Sequence, residues 1–82
     1  MSLHDIRSQI DTIDDEILHL LADRVALACK TRSFKTSARD PKREEEIHDL
    51  WHHKAEELDL DAEKTDAILN AVIDLTRSAQ KP

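Results

Sequence analysis

The chain of 82 residues carries a net charge of −6, and 37% of its residues are charged whereas only 2% are aromatic. Because it contains no glycine, a Gly-rich phosphate loop is excluded and an all-helical protein is favoured over a β-sheet. The acidic balance argues against nucleic acid as the main partner. No apolar run approaches the roughly 20 residues that span a bilayer, and no signal peptide pattern is present. We therefore expect one small cytoplasmic domain over residues 1–82, without a membrane partner.

The single cysteine, Cys29, excludes an intrachain disulfide. It is compatible with a reducing compartment, and we expect it to be a buried structural thiol rather than a nucleophile.

The first predicted helix runs from Leu3 to Lys35, with Ser2 or Asp5 as its cap. Its apolar residues recur at spacings of three and four, and they are Leu3, Ile6, Ile10, Ile13, Ile17, Leu20, Leu27 and Phe34. About 33 residues form a rod of roughly 50 Å, whereas a compact chain of this length has a radius of gyration near 12 Å. The rod must extend beyond its own domain, so we expect a second copy of the chain to cover this stripe.

Arg24 lies on the same stripe, where a guanidinium is costly unless an anion meets it. Three interpretations are open: a pair with an acid, a side chain that reaches outward to solvent, or a contact with an anionic ligand. Seven of the twelve basic residues fall between Arg24 and Arg43, and Asp40 is the one acid there. That concentration of cations favours an anion site, although Arg32 is expected to be solvated surface.

A second helix is predicted from Pro41 to about Glu57, with Asp40 as its cap and Pro41 in its first turn. Its inner stripe contains Glu44, Ile47, Trp51, Ala55 and Leu58. The third helix is predicted from Ala62 to about Ala79, capped by Asp59 or Asp61. Its inner face is formed by Ile68, Leu69, Val72, Ile73, Thr76 and, one turn further on, Gln80.

The spacing of three cations decides which of them can share a small ligand. Arg24 and Lys35 are 11 residues apart, almost three turns, and they point the same way with about 16 Å between their Cα atoms. Arg7 lies 17 residues from Arg24, or about 25 Å along the helix, so it cannot share a small ligand with its own Arg24. An antiparallel pair of long helices would instead bring Arg7 of a second chain close.

Three inward-facing polar residues complete the candidates. Glu44 is either a salt-bridge acceptor for one of these bases or a site residue. Thr76 and Gln80 are either polar residues at the edge of the core or part of a site. Together they lie near one end of the bundle, which favours a site over coincidence.

Metal or cofactor chemistry is not expected. His48 and His52 have the spacing of a helical metal pair, with Glu44 one turn earlier, but no further ligand set stands out. No Ser-His-Asp or Cys-His arrangement and no nucleotide fingerprint is recognisable.

These residues resemble a known family. The opening IRSQIDTIDDEILHLLADR, the following Lys35, the segment DPKREEE and the terminal TRSAQ are similar to the all-helical chorismate mutase family of bacterial type. The resemblance covers nearly the whole chain. It implies an intertwined homodimer of three-helix chains and the conversion of chorismate to prephenate in aromatic amino acid biosynthesis, without a cofactor.

The resemblance also implies residue roles. Arg24 and the second chain's Arg7 would hold the two substrate carboxylates, and Lys35 and Gln80 would hydrogen-bond the ether oxygen. Glu44, with the backbone around Asp40, would bind the ring hydroxyl. Arg43 and Thr76 would be secondary substrate-binding residues.

One departure from the family concerns the connection between the first two helices. Only four residues separate Lys35 from Asp40, fewer than the family usually has, and Thr76 stands where serine is common. Two alternatives follow: an isochorismate pyruvate lyase or related chorismate-processing enzyme, and a non-catalytic helical dimerisation module. Glu44 favours the mutase over the lyase, whose pattern lacks that acid.

Overall fold

The computed structural model describes residues 1–34 and 40–80. Within these residues the chain forms three α-helices and no strand: α1 (Leu3–Lys30), α2 (Pro41–Glu57) and α3 (Ala62–Gln80), with a 3-10 turn at Thr31–Phe34. The all-helical expectation is confirmed. The chain measures 52 × 27 × 15 Å with a radius of gyration of 15.5 Å, so the long helix does extend beyond a compact body. None of the described helices combines the length and the apolar character needed to cross a membrane.

The first helix ends earlier than predicted. We expected regular helix to Lys35, but α1 stops at Lys30 and a 3-10 turn follows. Hydroxyl side chains explain the change, because Thr31 Oγ1 donates to the Ala28 carbonyl at 2.7 Å and Ser33 Oγ donates to the Lys30 carbonyl at 3.1 Å. Such local bonds compete with the α-helical ladder. Lys35 itself lies outside the described residues.

The helix starts follow the predicted caps. Ser2 caps α1 in a capping box with Asp5, and Asp40 caps α2 by accepting the Arg43 backbone N–H at 3.2 Å. At the start of α3, Asp61 rather than Asp59 accepts the Lys64 backbone N–H at 3.0 Å. These short-range bonds satisfy backbone N–H groups in the first turn of each helix.

The turn after α2 is built without glycine. Asp59 has φ of 57°, and the backbone N–H groups of Asp59 and Leu60 donate to the carbonyls of Glu56 and Ala55 at 3.2 and 2.8 Å. This is a Schellman motif, whose left-handed residue is usually glycine. An aspartate in that position carries backbone strain.

The small core lies between α2 and α3. Ala55, Leu69 and Val72 are buried, and α3 contacts both other helices. Two predicted inner residues are exposed: Ile68 on α3, and Leu58, which caps the end of α2. The core within the described chain therefore covers only part of the predicted apolar stripes.

The covered face of α1 differs from the predicted one. The half-buried residues are Leu21, Arg24, Val25, Ala28 and Cys29, a face rotated by about a fifth of a turn from the predicted stripe. All eight apolar residues of that stripe are exposed, from 43% at Ile6 to 89% at Phe34. Cys29 is half-buried rather than buried. Arg24 lies on the shared edge of the two faces.

Candidate active site

A cavity of about 310 Å³ opens where the last turns of α1, the first turn of α2 and the last turns of α3 meet. Its volume is at the lower end of the roughly 300–1,000 Å³ typical of small-molecule sites. Of the predicted site residues, six line it: Arg24, Asp40, Arg43, Glu44, Thr76 and Gln80. The helix ends thus bring together residues that are up to 56 positions apart in the sequence, from Arg24 to Gln80.

Arg24 reaches the cavity from α1 and is half-buried. One of its guanidinium nitrogens donates to Thr76 Oγ1 at 3.4 Å, and Thr76 in turn donates to the Val72 carbonyl at 2.9 Å. Among residues 1–34 and 40–80, no carboxylate forms an ion pair with Arg24. Thr76 therefore fixes the direction of the guanidinium without neutralising its charge, which leaves that charge available to an anion.

Gln80 is buried at the end of α3. Its side-chain Nε2 donates to the Ala28 carbonyl at 3.1 Å, and its backbone carbonyl accepts a hydrogen bond from Arg32. Arg32 is exposed as expected, yet it is more than solvated surface because it holds the end of α3. A primary amide has two N–H donors. With one bonded to Ala28, the side chain is anchored and retains a second donor.

Glu44 forms an ion pair with Arg77 of α3. The expected salt-bridge acceptor is therefore present, but its partner is not one of the bases that the sequence singled out. The two side chains are only 25% and 31% exposed, so removing either partner would leave a partly desolvated charge without compensation. Arg77 also lines the cavity. In the sequence, only the inward position of Glu44 indicated this ion pair, because a half-buried carboxylate requires a cation.

Arg43 and Asp40 lie at the outer edge of the cavity. Arg43 pairs with Glu46 at 3.3 Å, and both side chains are exposed. Asp40 uses one carboxylate oxygen as the cap of α2. Both residues are near the cavity, but their present contacts are to α2 itself.

Two of the predicted site residues are not among those that line the cavity. Arg7 is exposed in the N-terminal half of α1, and because α1 is continuous, about 25 Å of helix separates it from Arg24. Lys35 lies outside the described residues. The described chain therefore brings together Arg24, Glu44, Thr76 and Gln80, and leaves Arg7 remote.

The described cavity wall carries one net positive charge, because the guanidinium groups of Arg24, Arg43 and Arg77 face the carboxylates of Asp40 and Glu44. No group of three or more potential metal ligands occurs in the described part of the chain. His48 and His52 form separate contacts with Asp66 and Glu56, at 2.7 and 2.8 Å. The described cavity thus offers positive charge and hydrogen-bond donors to a ligand.

A cavity of this size with net positive charge can bind a compact organic anion. The family model for chorismate mutase type II matches residues 6–81, and the chain belongs to this family. It is accordingly a chorismate mutase, an isomerase that converts chorismate to prephenate. Comparisons with curated proteins and with solved structures returned no match.

Proposed function

We propose that this chorismate mutase acts as a homodimer whose site is shared between the two chains. The observation that carries the proposal is the convergence of Arg24, Glu44, Thr76 and Gln80 on one cavity, while Arg7 lies far along the same helix. Arg24 binds one substrate carboxylate, and Arg7 of the partner subunit binds the other. Thr76 orients Arg24.

The reaction is intramolecular, so it requires neither a nucleophile nor an external acid. A C–O bond breaks while a C–C bond forms, and negative charge grows on the ether oxygen. Catalysis then depends on holding the substrate in its compact conformation and on stabilising that oxygen. The second N–H of the anchored Gln80 amide donates to the ether oxygen. Lys35 donates to the same oxygen, a role that rests on the sequence.

Glu44 accepts a hydrogen bond from the ring hydroxyl group, and the backbone near Asp40 contacts the same hydroxyl. Arg43 takes a secondary place at the cavity edge, where its present partner Glu46 is exposed. The substrate therefore meets a cation at each carboxylate and an acceptor at its hydroxyl.

The charge balance supports at least one further cation at the site, which either Lys35 of the same chain or Arg7 of the partner subunit can supply. Chorismate carries two negative charges, and the described cavity wall carries one net positive charge. Arg7 of the partner subunit and Lys35 would add two more. A fully matched site therefore needs cations beyond those of the described cavity wall.

The exposed stripe on α1 supports the same proposal. Its eight large apolar residues would each gain roughly 1 kcal/mol or more if the exposed half of the side chain became buried. A second α1, packed antiparallel, provides a complementary surface and brings its Arg7 towards the cavity. We further propose that residues 1–82 form a single domain and that the enzyme serves aromatic amino acid biosynthesis in the cytoplasm, where a lone half-buried cysteine stays reduced.

Turnover of chorismate tests the proposal. The purified protein should consume chorismate, and chromatography should identify prephenate as the product. Arg24→Ala should abolish this conversion, because it removes a charge-assisted contact to a substrate carboxylate. Lys54→Ala is the matched control, since Lys54 forms an exposed pair with Glu57 away from the cavity. Failure to form prephenate from chorismate, together with release of salicylate and pyruvate from isochorismate, would contradict the proposed reaction.

A further inference from the structure

The ion pair between Glu44 and Arg77 joins the first turn of α2 to the last turns of α3 at the cavity wall. Arg77 donates to Glu44 Oε1. None of the hydrogen bonds among the described residues reaches Glu44 Oε2. The carboxylate is therefore held through one oxygen, while the other remains able to accept a further hydrogen bond.

The three guanidinium groups of the described cavity wall have different partners. Arg24 donates to Thr76, and Arg43 pairs with the exposed Glu46. Arg77 alone meets Glu44, and its other acidic neighbour, Asp74, is 3.9 Å away and 78% exposed. Of the cations in residues 1–34 and 40–80, Arg77 is thus the one placed to fix the orientation of the Glu44 carboxylate.

We propose that Arg77 is a positioning residue for the mutase reaction, which acts by holding Glu44 through Oε1 so that Oε2 accepts a hydrogen bond from the ring hydroxyl of chorismate. This inference rests on the proposed function, in which Glu44 binds that hydroxyl. A partly buried carboxylate without a cation is unfavourable. Without Arg77, Glu44 would turn towards solvent and no longer present its oxygen to the substrate.

Arg77 has a second effect on binding. The substrate is a dianion, so a carboxylate at the cavity wall would repel it unless a cation lies beside that carboxylate. Removing Arg77 lowers the net charge of the described wall from one positive charge to zero. The positioning effect depends on Glu44. In a wall without Glu44, removing Arg77 still leaves a net positive charge, so the effect of removing Arg77 should be small when Glu44 is absent.

A double-mutant cycle on kcat/KM for chorismate tests the inference. Arg77→Ala should lower kcat/KM by about 10-fold, since it disturbs one hydrogen bond to a charged group. The same substitution in a Glu44→Ala background should change kcat/KM by less than about 2-fold. Arg77→Lys should recover part of the loss because it keeps the charge, and Asp74→Asn should leave the rate unchanged.

The helical content and the thermal unfolding midpoint of each variant show whether a loss of activity comes from the positioning role of Arg77 or from a loss of folding. If Arg77→Ala does not fold, the cycle is carried out with Arg77→Gln. A chorismate analogue without the ring hydroxyl gives a second measurement, in which the loss caused by Arg77→Ala should be smaller, because only the effect on charge remains. A folded variant with an equal loss on both substrates would overturn the inference.

The cycle also distinguishes the two levels of the hypothesis. If Glu44→Ala leaves turnover unchanged, the proposed role of Glu44 fails and the inference fails with it. If Glu44→Ala lowers turnover but the loss from Arg77→Ala is the same in both backgrounds, only the positioning role of Arg77 is overturned.

Discussion

Replacing Ile17 by glutamate should separate the proposed dimer into monomers. Ile17 belongs to the apolar stripe of α1 and is 48% exposed in the chain. Suppose that two antiparallel helices place Arg7 of one beside Arg24 of the other. The numbers of any two residues that face each other then add up to about 31, so the helices cross near residues 15 and 16. Ile17 then lies within one turn of the crossing in both copies, so one substitution acts twice.

The size of the effect follows from burial. Each Ile17→Glu copy loses about 1 kcal/mol of aliphatic burial, half of the value for a fully buried side chain. Each also places a carboxylate without a partner in an apolar contact, at a cost of several kcal/mol. Two copies together destabilise the dimer by at least about 6 kcal/mol, which raises the dissociation constant by about 10⁴-fold.

Sedimentation velocity over a range of protein concentrations measures this change. The unsubstituted protein should sediment as a dimer at micromolar concentration, and Ile17→Glu should sediment as a monomer without mutase activity. Ser8→Glu is the matched control, because it adds the same charge to the opposite, exposed face of α1. An Ile17→Glu protein that remains dimeric and active would refute the assignment of the stripe to the interface.

Two further substitutions test the site and the fold. Gln80→Glu should reduce turnover at neutral pH by about 100-fold or more, since a carboxylate cannot donate to the ether oxygen. Activity should recover as the pH is lowered, because the protonated side chain can donate. A pH-independent rate would argue against Gln80 as a donor. Asp59→Gly should stabilise the protein by about 0.5–1 kcal/mol, because glycine adopts the left-handed backbone of the turn without strain. Thermal unfolding at fixed protein concentration should show a higher midpoint, and an unchanged or lower midpoint would contradict the strain at Asp59.

Much of the fold was predictable because its signals are local. The pair Asp40–Pro41 marks the start of α2, which begins and ends at the predicted residues. The end of α1 was not predictable in the same way. The apolar rhythm continues to Phe34, but the hydroxyl groups of Thr31 and Ser33 bond to nearby carbonyls and end the regular helix. The periodicity of apolar residues gives no information on such competition between side-chain and backbone hydrogen bonds.

The lining of the candidate cavity was predictable in part, for a physical reason. Inward polar residues such as Glu44 and Gln80 are visible in a sequence because they interrupt apolar stripes. Their partners are not visible, since pairing depends on how the helices are rotated against each other. The covered face of α1 lies about a fifth of a turn from the predicted stripe, and Arg77 meets Glu44 only through the packing of α3 on α2. Resemblance supplied the cross-chain role of Arg7, which a single chain does not test.

Subunit exchange between two inactive variants tests the shared site most directly. Arg7→Ala and Arg24→Ala should each abolish turnover of chorismate. After full exchange about half of the dimers are mixed, and each mixed dimer has one site with both arginines and one with neither. The mixture should therefore regain roughly a quarter of the activity of the unsubstituted protein. If mixed dimers form and no activity returns, the two arginines do not meet across the interface, and the shared site is wrong.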